Sequence, residues 1–231
     1  MKDAMVQLMK WSSGLLQIGL SRFNPLVYGA SRMPILQSMC YAYFMYSPLL
    51  SIAFLVYGTI SPFCLLNGVS LYPTTSSPWF IVFAMVYMSS QLEHLYVVLS
   101  NDGSLVTWWN EQRIYLIRCI SALLFGCVNV VMVSLGVAKA NFRLTNKVVD
   151  KKKLEKYKKG YFDFEGAEMF MIPSTIMVVL NALCFVGGIT RVIRNGNVGE
   201  MFGQVFVSWT TLILSYPILK GLVQKLSPKV R

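Results

Sequence analysis

Apolar and polar positions in this chain are gathered into long blocks, with neither the two-residue alternation of a half-buried strand nor the narrow stripe of a soluble helix. Four blocks, Ala42–Leu66, Trp79–Leu99, Met169–Thr190 and Met201–Leu219, are long enough to cross a hydrocarbon layer ~30 Å thick at ~1.5 Å per residue. Each predicts a transmembrane helix. The first contains Pro48, Gly58 and Pro62, which predicts a kink, with neighbouring helices satisfying the backbone groups that proline frees. Tyr72, Trp79 and Tyr216 fall near block ends, where amphipathic rings settle at the interface. A fifth block, Cys119–Ala138, is also uncharged and reads as a span on hydropathy alone.

Composition agrees with a membrane protein. Of 231 residues, 55% are hydrophobic and 13% charged, against roughly a quarter charged in a soluble domain. That excludes an ordinary water-soluble globule, and the high hydrophobicity excludes disorder. The net charge of +11 would raise nucleic acid as a partner in a soluble protein. Here the basic residues lie between apolar spans, so the charge reports topology and no nucleic-acid partner is expected.

Topology decides the fifth block. With four spans, residues 1–41, 100–168 and 220–231 share one side and hold 19 of the 21 Lys and Arg; only Arg191 and Arg194 lie opposite. Were Cys119–Ala138 to cross, the nine basic residues from Lys139 to Lys159 would move outside, against the positive-inside rule. Trp108, Trp109, Glu111, Arg113 and Arg118 run directly into the block. Trp108–Val137 is therefore expected to be interfacial or re-entrant. The sequence predicts an all-α membrane protein, with about four transmembrane helices plus N-terminal and central interfacial amphipathic helices. No α/β domain is expected in it. The five cysteines stand singly without metal-ligand spacing, so neither a zinc site nor a disulfide framework is indicated. MKDAMVQLMKW lacks the apolar run of a signal peptide. The run KVVDKKKLEKYKKG reads as a solvated basic loop near anionic lipid.

Two places carry candidate chemistry on pattern alone. At about 100° per residue, Gln7, Lys10 and Trp11 fall within about a 100° arc of one helix face. An amide, a cation and an indole could serve a sugar and its phosphate. An interfacial Trp beside a snorkelling Lys accounts for the same pattern. Glu93-His94 lies late in the second span, where a carboxylate is a functional candidate or a solvated or locally paired Glu. His94 is the only histidine, and no metal site is expected there.

QLMKWSSGLLQIGLSRFNPLVYG resembles the segment of plant cellulose-synthase-family glycosyltransferases that carries the Q-x-x-R-W signature. WWNEQRIYLIRCISALLFG resembles their interfacial helix after two spans, and NFRLTNK their F-x-V-T-x-K gating loop. The three blocks occur in the family's order and spacing, with detail most similar to cellulose-synthase-like groups G and E. The resemblance implies that Gln7, Lys10 and Trp11 bind acceptor and UDP-sugar, Lys10 standing where the family has Arg and losing its bidentate fork. It implies that Phe142, Arg143, Thr145 and Lys147 belong to a loop folding over the UDP-sugar, with Leu144 in place of Val. It divides the chain into an interfacial segment (1–41), two spans (42–100), interfacial helix and gating loop (101–168), two spans (169–219) and a cytosolic tail (220–231).

The function implied is the membrane-channel portion of an enzyme passing sugar from UDP-sugar to a growing glycan or glycoside. The family's catalytic aspartates, with Mg2+ or Mn2+, precede the signature, so the chain is expected to be a C-terminal membrane fragment, inactive alone and binding no cofactor. Expected partners are the bilayer, donor and acceptor in the full-length enzyme, and a full-length relative. Expected placement is multi-pass in Golgi or endoplasmic reticulum rather than plasma membrane, with both termini and the gating loop cytosolic. A small four-span transporter, which would need polar residues facing one another such as Glu93 and Asn181, and a non-catalytic membrane subunit remain open.

Overall fold

A computed structural model describes residues 1–137, 155, 162, 164 and 166–220. Among these all regular structure is helical and no strand occurs. The order is α1 (Lys2–Gly19), a π-turn (Pro25–Gly29), α2 (Ile35–Tyr46), a 3₁₀ turn (Ser47–Leu49), α3 (Leu50–Asn67), α4 (Pro78–Ser100), α5 (Leu105–Arg118), a π-turn (Cys119–Leu123), α6 (Leu124–Ser134), α7 (Glu168–Asn195) and α8 (Val198–Leu214). Ser77 caps α4 by accepting the Trp79 N–H, and Pro78 takes the first helical position, where a missing N–H costs nothing. Gly196, at φ +67°, ends α7 in the left-handed region that side chains resist.

Four helical stretches are long and apolar enough to cross a membrane: Ile35–Asn67, Pro78–Ser100, Leu105–Ser134 and Glu168–Asn195. Three contain expected spans. The fourth differs, because Leu105–Ser134 joins the amphipathic segment to the uncharged block in one helical run. The block Met201–Leu219 instead yields the 17-residue α8, which breaks at Ser215. Pro217 follows two residues later and cannot donate to the Ile213 carbonyl one turn back.

The described residues form two units. The first holds residues 1–54, 117–137, 164 and 166–173. In it α1 runs alongside the Cys119–Leu123 turn and α6 in the same direction, since Met5 meets Ser121, Ser13 meets Gly126, and Leu16 packs with Cys127 and Val130. Tyr46 closes that cluster. The expected interruption at Pro48 is a single 3₁₀ turn. Pro48 cannot serve the Phe44 carbonyl one turn earlier, and the Ser47 hydroxyl donates to it instead at 2.8 Å. The Pro48 carbonyl in turn accepts from Cys127 Sγ at 3.3 Å.

The second unit holds residues 55–116, 155, 162 and 174–220. Leu65, Val192 and Met201 form its core between α3, α7 and α8, flanked by Phe185 and Val205. Pro62 sits inside α3, leaving the Gly58 carbonyl without its helical N–H. The Asn181 amide on α7 donates to that carbonyl at 2.6 Å and to Met177 O at 3.1 Å. The loop after α3 folds onto α8. Gln204 donates to Val69 O at 2.7 Å, Ser70 to Glu200 O at 3.1 Å, and the Thr75 N–H to Gly199 O at 3.1 Å. Of the predicted interfacial rings, Trp79 and Tyr216 are exposed, whereas burial holds the Tyr72 phenol above its ordinary pKa.

Candidate functional site

The site is a helix face held from behind. Met5, Val6, Ser12, Ser13, Leu16 and Gly19 are the buried residues of α1, and at 3.6 residues per turn they share one side. Gln7, Lys10 and Trp11 project from the opposite side, as their spacing predicts. Gln7 and Lys10 are half-buried, and Trp11 is 59% exposed. Gly14, one turn beyond Lys10, has open space where a side chain would stand. The face thus offers an amide, an ammonium group and a bare indole beside a step with no side chain.

Its back is fixed by hydrogen bonds. Ser12 Oγ donates to Leu123 O at 3.3 Å, and Ser13 Oγ donates to Gly126 O at 3.2 Å while accepting from Asn129 Nδ2 at 3.3 Å. Gly126 permits this approach, because a Cβ there would lie 2.2 Å from Ser12 Oγ. An aromatic ring on such a mount loses little freedom on meeting a flat ligand. Indole faces suit the C–H surface of a sugar, the Gln7 amide its hydroxyls, and the Lys10 ammonium a phosphate.

The candidates Phe142, Arg143, Thr145 and Lys147 lie outside the described residues. Glu93 is exposed on α4, and it is His94 that is engaged. His94 Nε2 lies 2.9 Å from Glu111 Oε2, and Gln112 Nε2 lies 2.9 Å from His94 Nδ1. With the amide donating to Nδ1, Nε2 carries the proton and donates to Glu111. The sequence reading placed no partner on His94. The signal was present in a helical hairpin that returns Glu111 and Gln112 past it. Next to this pair, Arg113 stacks over Trp109 with its guanidinium carbon 5.2 Å from the ring centroid. Among the described residues no group of three or more His, Cys, Asp or Glu is placed to hold a metal ion. The amide nitrogen of Asn181, a candidate for a transport path, donates to the Gly58 and Met177 carbonyls, while its Oδ1 is buried without a hydrogen-bond partner among the described residues.

A sequence model described as cellulose synthase matches residues 1–229. The chain is 52% identical to quillaic acid 3-O-glycosyltransferase CSL1 of Saponaria officinalis, over 97% of this chain and 32% of that protein. It is 35% identical to cellulose synthase-like protein E2 of Oryza sativa subsp. japonica, over 92% of this chain and 29% of the relative. It is 28% identical to cellulose synthase A catalytic subunit 9 (UDP-forming) of Oryza sativa subsp. indica, over 96% of this chain and 21% of the relative. The chain spans about a third or less of the length of these relatives.

Proposed function

Since the chain belongs to the cellulose synthase family, we propose that it is the membrane-embedded portion of a glycosyltransferase passing sugar from a UDP-sugar to a glycan or glycoside. Two of the named relatives are a quillaic acid 3-O-glycosyltransferase and a UDP-forming cellulose synthase catalytic subunit. The observation that carries the reading is the rigid mounting of α1, whose locked face holds Ser12 and Ser13 while the Trp11 indole on the opposite side is exposed, with Gln7 and Lys10 half-buried beside it. Trp11 stacks on the acceptor sugar, Gln7 bonds its hydroxyls, and Lys10 faces the donor pyrophosphate. Lys147, with Phe142, Arg143 and Thr145, closes over the donor. We assign the aspartates and the Mg2+ or Mn2+ that activate the donor to the part of such relatives outside the match, so residues 1–231 alone turn over no UDP-sugar.

We place Leu105–Ser134 in the interface, although its length would allow crossing. Its second half runs beside α1, which carries Lys2, Asp3 and Lys10, and a partner packed along such a helix shares its depth. With the 17-residue α8 as the fourth crossing, at the short end of what spans a bilayer, the loop after Leu105–Ser134 and both ends of the chain face the cytosol, where nucleotide sugar is supplied, in the Golgi or endoplasmic reticulum membrane. A chimera of the quillaic acid 3-O-glycosyltransferase, with residues 1–231 replacing its matching segment, tests the platform. Trp11→Ala should raise KM for acceptor roughly ten- to hundredfold, from ~1.5–3 kcal/mol of lost aromatic contact. Unchanged kinetics would remove α1 from the site.

A further inference from the structure

We propose that the turn between α1 and α2 binds the headgroup of an anionic phospholipid. Four side chains of this turn form one stack. The Arg22 guanidinium carbon lies 4.8 Å from the Phe23 ring centroid, and that of Arg32 lies 3.9 Å from the Tyr28 centroid. Phe23 and Tyr28 meet edge to face, with centroids 5.5 Å apart. Two guanidinium groups therefore flank a single pair of rings. Among the described residues, neither has a carboxylate within ion-pair distance. Gathering like charges is unfavourable until an anion joins them.

The turn is built to hold this arrangement. The Asn24 side chain accepts the Leu26 N–H at 2.8 Å, donates to Gly19 O at 2.9 Å and also bonds the Tyr46 hydroxyl. Tyr46 donates to Gly19 O at 2.8 Å, and the Ser38 hydroxyl donates to Pro25 O. Arg32 is itself oriented, since its Nη1 donates to Tyr28 O and Ser31 Oγ, both at 3.2 Å. Its other guanidinium nitrogens remain to meet a ligand in a site that needs little ordering.

The apolar surroundings choose a lipid over a free anion. Leu20 and Val27 are 65% and 74% exposed, and Leu26 is exposed beside them. The turn immediately precedes the bilayer-length stretch Ile35–Asn67, so it lies at a lipid boundary. Inorganic phosphate would answer the arginines and leave this apolar surface wet. A phosphodiester carrying acyl chains answers both. The inference rests on the membrane reading and not on glycosyl transfer.

The full chain in detergent micelles, given equal amounts of phosphatidylglycerol and phosphatidylcholine, provides the test by native mass spectrometry. Phosphatidylglycerol should be retained preferentially, and higher ionic strength should erode the preference. Arg22→Gln with Arg32→Gln should reduce it roughly fivefold for each charge removed. Arg22→Lys with Arg32→Lys should keep much of it, and Arg191→Gln with Arg194→Gln all of it. The proposal fails if the wild-type chain shows no preference or a salt-insensitive one. It fails equally if the double Gln variant retains wild-type selectivity, or if excess inorganic phosphate strips the lipid, which would mark a free-anion site.

Discussion

Gly126→Ala probes how firmly the candidate platform is mounted. The added Cβ would stand 2.2 Å from Ser12 Oγ, 2.5 Å from Ser12 Cβ and 3.2 Å from Met9 O. Carbon pairs prefer about 3.5–4.0 Å, and neither Ser12 Cβ nor a helical carbonyl can swing aside, so α1 must move. Overpacking of this kind costs about 1–3 kcal/mol. Replacing a helical glycine by alanine returns about 1 kcal/mol. The net loss near the upper end is about 1–2 kcal/mol, or roughly 2–8 °C in melting temperature. Ser12→Gly removes both clashing atoms, at the expense of the 3.3 Å bond to Leu123 O and of helix propensity. In that background Gly126→Ala should be neutral or stabilising by up to about 1 kcal/mol, giving a coupling of about 1–3 kcal/mol. A thiol-reactive dye reports unfolding through buried Cys119 and Cys127. Sugar transfer by the chimera should fall in Gly126→Ala and recover in the double variant, because a displacement near 1 Å can cost about a hundredfold in rate. An equal melting-temperature loss with and without Ser12 would refute the packing argument.

Asn181→Ala strips the donor from the Gly58 carbonyl, which Pro62 cannot serve; a loss of about 1–3 kcal/mol should appear in the same dye-monitored melt. In the chimera, Lys147→Ala should lower transfer roughly ten- to hundredfold, from ~1.5–3 kcal/mol for a charge-assisted contact. Joint alanine replacement of Lys151, Lys152 and Lys153 should matter much less, and the reverse order would show that NFRLTNK is no gate. Cysteines introduced at Lys153 and Ser76 should label from opposite membrane faces, Lys153 from the cytosol; luminal labelling of Lys153 would mean that Leu105–Ser134 crosses.

The helices were legible where the sequence carries long uncharged blocks, because a bilayer demands length and little else. The face of α1 was legible for a similar reason, since helical spacing alone groups Gln7, Lys10 and Trp11. What holds that face was not. Ser12 and Ser13 read as ordinary polar residues, and only the approach of Gly126, Asn129 and the Leu123 carbonyl gives them work. Alternation of charge and hydropathy says where a helix begins, and it says nothing about which distant helix supplies the small residue. The early end of α8 has the same origin. Pro217, inside an apolar block, ends α8 through a missing N–H that hydropathy does not register.

Proline also bears on the choice between an enzyme platform and a transporter. A transporter of this size would leave intramembrane polar groups facing a substrate path. Here several of them repair the backbone that prolines break. Ser47 serves the carbonyl that Pro48 abandons, Cys127 serves the carbonyl of Pro48 itself, and Asn181 serves the one that Pro62 abandons. The Asn181 bond is buried and satisfies a carbonyl that would otherwise cost several kcal/mol in hydrocarbon. Polar residues committed in this way are poor candidates for carrying an ion or solute. The open side of α1 is different, since Trp11 is largely exposed and its helix is secured by residues on the other side. That division of labour, polar groups inside for repair and polar groups outside for contact, favours the platform over the transport path.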